Sequence, residues 1–171
     1  FKGSFSRQAA HLVSGASIQT LLSLANKSWI QQGESGRYAL HEALRQYGLE
    51  RLHTHPEEWH ETKNRHAEYF SKFIQEQGQI LRTEKQIQAL QAIKIELESN
   101  LILAWEWLVS QGRFEVLIDR MLPALFHYQL IRSDQGNFIS IFKAARKAAS
   151  DSRDRQHMVQ AAIFETVERN S

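Results

Sequence analysis

Residues that interrupt an α-helix are scarce in this chain. Its 171 residues include only two prolines, Pro56 and Pro123, and eight glycines. Proline removes a backbone hydrogen bond and clashes with the preceding helical turn, and glycine costs about 1 kcal/mol relative to alanine inside a helix. Since long stretches contain neither residue and 42% of the residues are hydrophobic, the sequence predicts a mainly α fold with a substantial core.

The composition argues against several classes of function. The net charge is +2, from 21 basic and 19 acidic residues, and it is not concentrated enough to predict nucleic-acid binding. The absence of cysteine excludes disulfides and thiolate metal sites. No apolar run approaches about 18 residues, so we expect neither a transmembrane helix nor a membrane partner. The chain begins at FKGSF without an initiator methionine, and we therefore expect it to be a section of a longer protein.

Residues 1–52 carry the signals of a small mixed unit. Ser6 and Ser17 are typical N-cap residues for two short helices, RQAAHLV and IQTLLSLANK, and Gly15 is a typical stop for the first. The second helix is expected to place Ile18, Leu21, Leu22 and Ala25 on one face. The segments SWIQQ and RYALH then flank the turn GESG, which predicts a β-hairpin. Helices followed by a hairpin in this order are typical of the second half of a winged-helix domain.

The hairpin runs directly into a helix, EALRQYGLERL, with His41 and Glu42 at the junction. Period-two geometry places Tyr38 and Leu40 towards the core and His41 away from it. A polar side chain at a helix start lies beside unpaired N–H groups, where a phosphate can also bind. This helix is expected to present an apolar side that includes Leu44, Tyr47, Gly48 and Leu52.

A polar linker at 53–58 is predicted to end this unit, and a helical domain is predicted over 59–171. An apolar stripe in 57–81 predicts its first helix, and a longer stripe ending near Gly112 predicts the next. Pro123 is expected to kink or break the helix that follows. Phe142 and Ala145 mark a further helix, and a last helix is predicted at 153–169. Trp105 lies on the second stripe and is expected in the core, while Trp107 lies off it. Short loops favour antiparallel helical hairpins that stack as an α-solenoid of the tetratricopeptide type, although no repeat of about 34 residues is evident.

Several segments together resemble the middle of STAND-class signal-transduction ATPases, which include NB-ARC proteins and bacterial regulators with tetratricopeptide-like repeats. The resemblance covers most of residues 1–125 and is carried by FKGSFSRQAAHLVSG, GRYALHEALRQYGLERL, NRHAEYF and LESNLILAWEWLVSQGRFEVL. The family's winged helix has a Met-His-Asp signature where Leu40, His41 and Glu42 stand here. The resemblance implies that His41 senses the β-phosphate of ADP and that Glu42 supports the local geometry.

The resemblance also implies what lies outside this chain. No G-x-x-x-x-G-K-[ST] loop occurs in the sequence, so ATP or ADP with Mg²⁺ would be held by an upstream nucleotide-binding domain in the same protein. We expect no cofactor in this chain and, since no catalytic triad or paired-carboxylate motif is evident, no enzymatic activity. The expected role is regulatory: the helical repeats bind an inducer or protein partner and shift the nucleotide state of a cytoplasmic signalling ATPase or transcriptional regulator.

Other interpretations of the same residues remain open. A DNA-reading winged helix would use the helix at 17–26, but that helix carries no arginine and only Lys27 at its end, so DNA binding is not favoured. A stand-alone helical scaffold is a further alternative. The histidines His53, His55, His60 and His66 do not have the spacing of a zinc site, so no metal is expected, and His66 is expected in the core. The basic cluster Lys143, Arg146, Lys147, Arg153 and Arg155 is either a solvated face or a partner surface.

Overall fold

A computed structural model describes residues 1–33, 35–132 and 138–151 of the chain. Within them the protein is mainly helical with a small antiparallel sheet. The elements, in chain order, are β1 (Ser4–Phe5), α1 (Arg7–Ser14), α2 (Ile18–Asn26), β2 (Ile30–Gln32), β3 (Tyr38–Leu40), α3 (Glu42–His53), α4 (Pro56–Ile80), α5 (Gln86–Glu96), α6 (Ile102–Ser110), α7 (Phe114–Val116), α8 (Leu122–Arg132) and α9 (Phe138–Asp151). The predicted helix at 153–169 lies outside the described residues.

The chain divides into two compact units, Phe1–Tyr69 and Phe70–Ser171. The division falls within α4, while the predicted linker at 53–58 covers the end of α3 and the start of α4. Proline is favourable at the first position of a helix, and Glu57 and Glu58 follow in the first turn, where their charge complements the helix dipole. The predicted domain limits, 1–52 and 59–171, stay a prediction.

The first unit contains a three-stranded sheet rather than a hairpin alone. β3 lies in the centre, with β1 and β2 antiparallel on either side. The predicted hairpin is confirmed, and the extended opening segment adds the third strand because Phe5 pairs with Tyr38. The guanidinium of Arg37 reinforces this pairing by donating to the hydroxyl and the carbonyl oxygen of Ser4, both at 2.9 Å.

Both predicted serine caps of the first unit are confirmed. The Ser6 hydroxyl accepts a hydrogen bond from the Ala9 N–H at 3.0 Å, and the Ser17 hydroxyl accepts one from the Thr20 N–H at 3.1 Å. Gly15 ends α1 with a φ of 71°, a left-handed conformation that favours glycine. These local interactions explain why α1 and α2 begin and end where the sequence predicts.

Two predicted apolar faces are wrong in part. Leu22 of α2 is 49% exposed, and Tyr47 of α3 is 61% exposed. The half-buried residues of α3 include Leu44, Leu49 and Leu52, and none is fully buried. The buried face of a helix is fixed by the elements that pack on it, and apolar spacing within so short a segment does not determine that direction.

The second unit has a helical core that follows the predicted stripes. Its fully buried residues include Phe70, Ile74, Ile93, Leu101, Ala104, Trp105, Leu108, Phe142 and Ala145. Trp105 and Phe142 lie with ring centroids 5.5 Å apart, which joins α6 to α9. The prediction that Trp105 is core is confirmed, and Trp107 is half-buried.

Two π-helical segments, Leu97–Leu101 and Leu117–Met121, interrupt the regular helices of the second unit. The second lies directly before Pro123, where the sequence predicts a kink or break. A proline ring clashes with the carbonyl four residues earlier in a regular helix, and the wider turn accommodates this clash. The helical path therefore continues into α8 through a change of hydrogen-bond pattern.

Candidate functional site

The strand-to-helix junction of the first unit places His41 at the N-cap of α3. Its backbone is extended, with φ of −61° and ψ of 137°, and its carbonyl oxygen accepts the Arg45 N–H at 3.0 Å. The side chain is exposed, which confirms the period-two prediction that it points away from the core. His41 thus directly precedes the first N–H groups of α3, which have no partner inside the helix.

His41 does not serve the helix in the way that an N-cap residue usually does. Its side chain makes no capping hydrogen bond, whereas Ser6 and Ser17 both cap helices of the same unit. Serine, threonine, aspartate and asparagine are preferred at this position and stabilise a helix by about 1 kcal/mol relative to alanine. Local helix stability therefore does not account for a histidine at position 41.

Glu42 is occupied by contacts within its own helix. Its carboxylate accepts two hydrogen bonds from the Arg45 guanidinium, at 2.8 Å and 2.6 Å, and one from the Gln46 side-chain amide at 3.0 Å. The hydrogen bonds from Arg45 lower the pKa of Glu42 to about 2, although the carboxylate is exposed. Glu42 thus stays ionised near neutral pH and fixes the position of Arg45.

The Glu42 carboxylate has two structural effects at the start of α3. A carboxylate in the first turn of α3 is favourable beside the positive end of the helix dipole. It also holds the guanidinium of Arg45, a group suited to bidentate contact with carboxylates and phosphates, one turn from His41. The position of Arg45 was not predicted, although a glutamate and an arginine three residues apart on a helix are a recognisable signal.

The four histidines near the predicted linker lie in different environments. His53 packs on Trp59 with ring centroids 3.9 Å apart, and a ring nitrogen of His55 lies 3.1 Å from the Arg51 carbonyl oxygen. His66 is only 6% exposed, which confirms its expected place in the core. Within the described ranges, no cluster of three or more histidine, cysteine, aspartate or glutamate side chains is arranged to hold a metal ion.

The second unit contains buried polar side chains that the apolar stripes did not predict. The Asn100 side-chain amide donates to the Glu96 carboxylate at 2.8 Å, and both residues are almost fully buried. The Gln129 side-chain amide is also buried, and within the described part of the chain neither its oxygen nor its nitrogen has a hydrogen-bond partner. Glu96 directly precedes the first π-helical segment, and Asn100 lies within it. This polar pair therefore forms where the helix is irregular.

A cleft of about 320 Å³ also lies in the second unit. We call it the α4–α8 cleft, and its lining residues are Gln75, Gly78, Gln79, Arg82, Asp119, Arg120, Pro123 and Ala124. No sequence pattern predicts this cleft, because its walls come from segments far apart in the chain. It is a second candidate for ligand binding, separate from the junction at His41.

Comparisons with protein-family models, with curated proteins and with solved structures return no match. No helix among the described residues is long and apolar enough to span a membrane. The basic cluster predicted in the last helices is described only in part, with Lys143 and Lys147 exposed on α9, while Arg153 and Arg155 lie outside the described residues. Functional inference therefore depends on the junction and the cleft.

Proposed function

We propose that this chain is a non-catalytic regulatory region of a STAND-type signalling ATPase or transcriptional regulator. In this proposal the first unit is the second half of a winged-helix domain, and His41 contacts the β-phosphate of ADP held by an upstream nucleotide-binding domain. The second unit is the start of a tetratricopeptide-like array that binds an inducer or protein partner. The nucleotide and Mg²⁺ belong to the parent protein.

The topology of the first unit supports the winged-helix assignment. β1 precedes two helices, and the later strands β2 and β3 form a hairpin in which β3 pairs with β1. This sheet order, together with the helix that follows β3 directly, agrees with the arrangement that the sequence resemblance implies. The consecutive helices of the second unit, joined by short connections, agree with a helical repeat array.

The observation that carries the proposal is the exposed His41 side chain at the N-cap of α3. It makes no capping bond, it lies beside unpaired helix N–H groups, and Glu42 holds a guanidinium nearby. N–H groups at a helix start and an imidazole N–H can both donate to an anion. A phosphate presented by another domain would find its donors here.

The regulatory step would be a shift between two populated states. Contacts from His41 to ADP favour the closed state, and a partner on the second unit favours the open one. A ligand shifts such an equilibrium only by its difference in affinity for the two states, commonly about 1–3 kcal/mol. Removal of His41 contacts should therefore favour the open state without any change in the partner-binding surface.

The test is to replace His41 with alanine in the full-length protein and to measure the ADP that co-purifies and the basal signalling output. The proposal predicts reduced ADP retention and raised basal signalling. His11→Ala is a matched control, because His11 is another exposed histidine of the same unit. Unchanged ADP retention together with wild-type basal signalling in His41→Ala would refute the sensor role.

A further inference from the structure

The α4–α8 cleft exists because two helices of the second unit approach closely at its floor. A Cβ atom built on Gly78 would lie 2.5 Å from the Ala124 Cβ, well inside van der Waals contact. Glycine on α4 and alanine on α8 therefore let the backbones meet, and the longer side chains on either side of this contact form the walls. The shape of the cleft is consequently set by the backbone.

The walls of the cleft combine polar and apolar surface and carry two guanidinium groups. Gln75, Gln79 and Arg82 line the α4 side, and Asp119 and Arg120 line the other. Asp119 and Arg120 belong to the π-helical segment Leu117–Met121, a type of turn that is frequent at functional sites. The net charge of the lining is +1, from Arg82, Arg120 and Asp119.

Most of these polar groups are not committed to the fold. The side chains of Gln75, Gln79, Arg82 and Asp119 make no hydrogen bond or ion pair with any other described residue and are exposed. Arg120 is half-buried, and its guanidinium donates to the Ser71 hydroxyl at 3.5 Å. The cleft thus combines one positioned guanidinium with a second that is free to adjust.

We infer that the α4–α8 cleft binds an acidic peptide segment through a carboxylate. Arginine is suited to bidentate contact with a carboxylate. The carboxamides of Gln75 and Gln79 each offer a donor and an acceptor, as a peptide group requires, and Asp119 accepts from a peptide N–H. A DNA backbone would find the guanidinium groups but has no N–H donor to offer Asp119.

The size of the cleft agrees with a short segment. Sites for small ligands typically measure about 300–1,000 Å³, and the cleft, at about 320 Å³, takes one acidic side chain or a chain terminus with its adjoining peptide groups. This inference identifies a partner class for the second unit and rests on the proposed function only for its part in signalling. Peptide binding itself does not depend on the nucleotide-binding domain.

The experiment measures fluorescence anisotropy of labelled peptides with the 171-residue chain. The probes are the hexapeptide amides GAEEAG and GAQQAG, and the peptide GAAAAG with a free carboxyl terminus. We expect GAEEAG to bind about tenfold or more tightly than GAQQAG, since a charge-assisted hydrogen bond is worth about 1.5–3 kcal/mol. Preference for GAAAAG over GAQQAG would identify a terminal carboxylate as the ligand and would equally support the site.

Variants locate the binding site. Arg82→Gln and Arg120→Gln should each weaken GAEEAG binding by about tenfold. Because the Arg82 side chain is exposed, its replacement should leave the chain folded, and a loss of binding would then come from the site itself. The matched control is Arg113→Gln, because Arg113 lies outside the cleft and its guanidinium is 3.7 Å from Glu115. It should bind as the wild type does.

Three results would overturn the inference: equal binding of all three peptides, an equal loss in Arg113→Gln and Arg82→Gln, or tighter binding of a thymidine oligonucleotide than of the preferred peptide. The experiment is independent of His41. If His41→Ala leaves ADP retention unchanged but GAEEAG binds as expected, the nucleotide proposal fails while the peptide site stands. If His41→Ala loses ADP but GAEEAG does not bind as expected, only the peptide site in the cleft is rejected.

Discussion

Gly78→Ala should destabilise the second unit even though alanine is the better helix former. The new Cβ would lie 2.5 Å from the Ala124 Cβ and 3.2 Å from the Ala124 Cα, whereas carbon atoms pack best at about 3.5–4.0 Å. Neither Cβ can move by side-chain rotation. The helices must therefore separate by about 1 Å to restore an optimal contact.

The magnitude follows from two opposing effects. Alanine in place of a helical glycine gains about 1 kcal/mol of intrinsic helix stability, and forcing an extra methyl group into a packed contact costs about 1–3 kcal/mol. Because the clash is between backbone-fixed atoms, we expect a cost near the upper end of this range and a net loss of about 1–2 kcal/mol. For a chain of this size that corresponds to a fall in Tm of roughly 2–8 °C.

The matched control is Gly48→Ala in α3. A Cβ at Gly48 would meet nothing within 4 Å, so this variant should be more stable than the wild type by about 0.5–1 kcal/mol. The double variant Gly78→Ala with Ala124→Gly removes the Cβ–Cβ clash and should recover part of the loss. Free energies of unfolding come from urea titrations followed by circular dichroism. Equal stability of Gly78→Ala and Gly48→Ala would rule out a clash with Ala124.

Three further expectations concern the junction and the core. His41→Ser should raise the free energy of unfolding by about 0.5–1 kcal/mol, because serine supplies the missing cap; no gain in a urea titration would contradict the description of this N-cap. The Glu42 carboxyl should titrate by NMR with a pKa of about 2, and Arg45→Gln should bring it towards 4.5. Since the folded pKa is lowered, any stabilisation from this pair is complete above the ordinary pKa and is lost as pH falls through about 2. Trp105→Ala should lower the free energy of unfolding, measured by calorimetry, by about 3–5 kcal/mol. The same substitution at the half-buried Trp107 should lower it distinctly less.

Local signals predicted most of the first unit. Ser6 and Ser17 were identifiable as caps because the cap acts within three residues, and the hairpin was identifiable from its turn and its alternation. The outward direction of the His41 side chain followed from the alternation of side chains between the two faces of a strand. The exposed positions of Leu22 and Tyr47 were not predictable in the same way, since they depend on what packs against each helix.

Long-range features of the second unit were beyond what the sequence could predict. The contact of Gly78 with Ala124 joins residues far apart in the chain, and a single glycine in a helical pattern carries no sign of its partner. The buried pair of Glu96 and Asn100 is four residues apart, a helical spacing that is equally common on exposed faces. The α4–α8 cleft forms only when both helices are in place, so its residues form no recognisable motif in the sequence.

The central claim is that His41 senses a nucleotide phosphate in the parent protein. The most direct measurement is the amount of ADP that co-purifies with full-length protein carrying His41→Ala, relative to the wild type and to His11→Ala. We expect a clear loss of ADP in His41→Ala alone, with raised basal signalling. Wild-type ADP content and basal signalling in His41→Ala would contradict it.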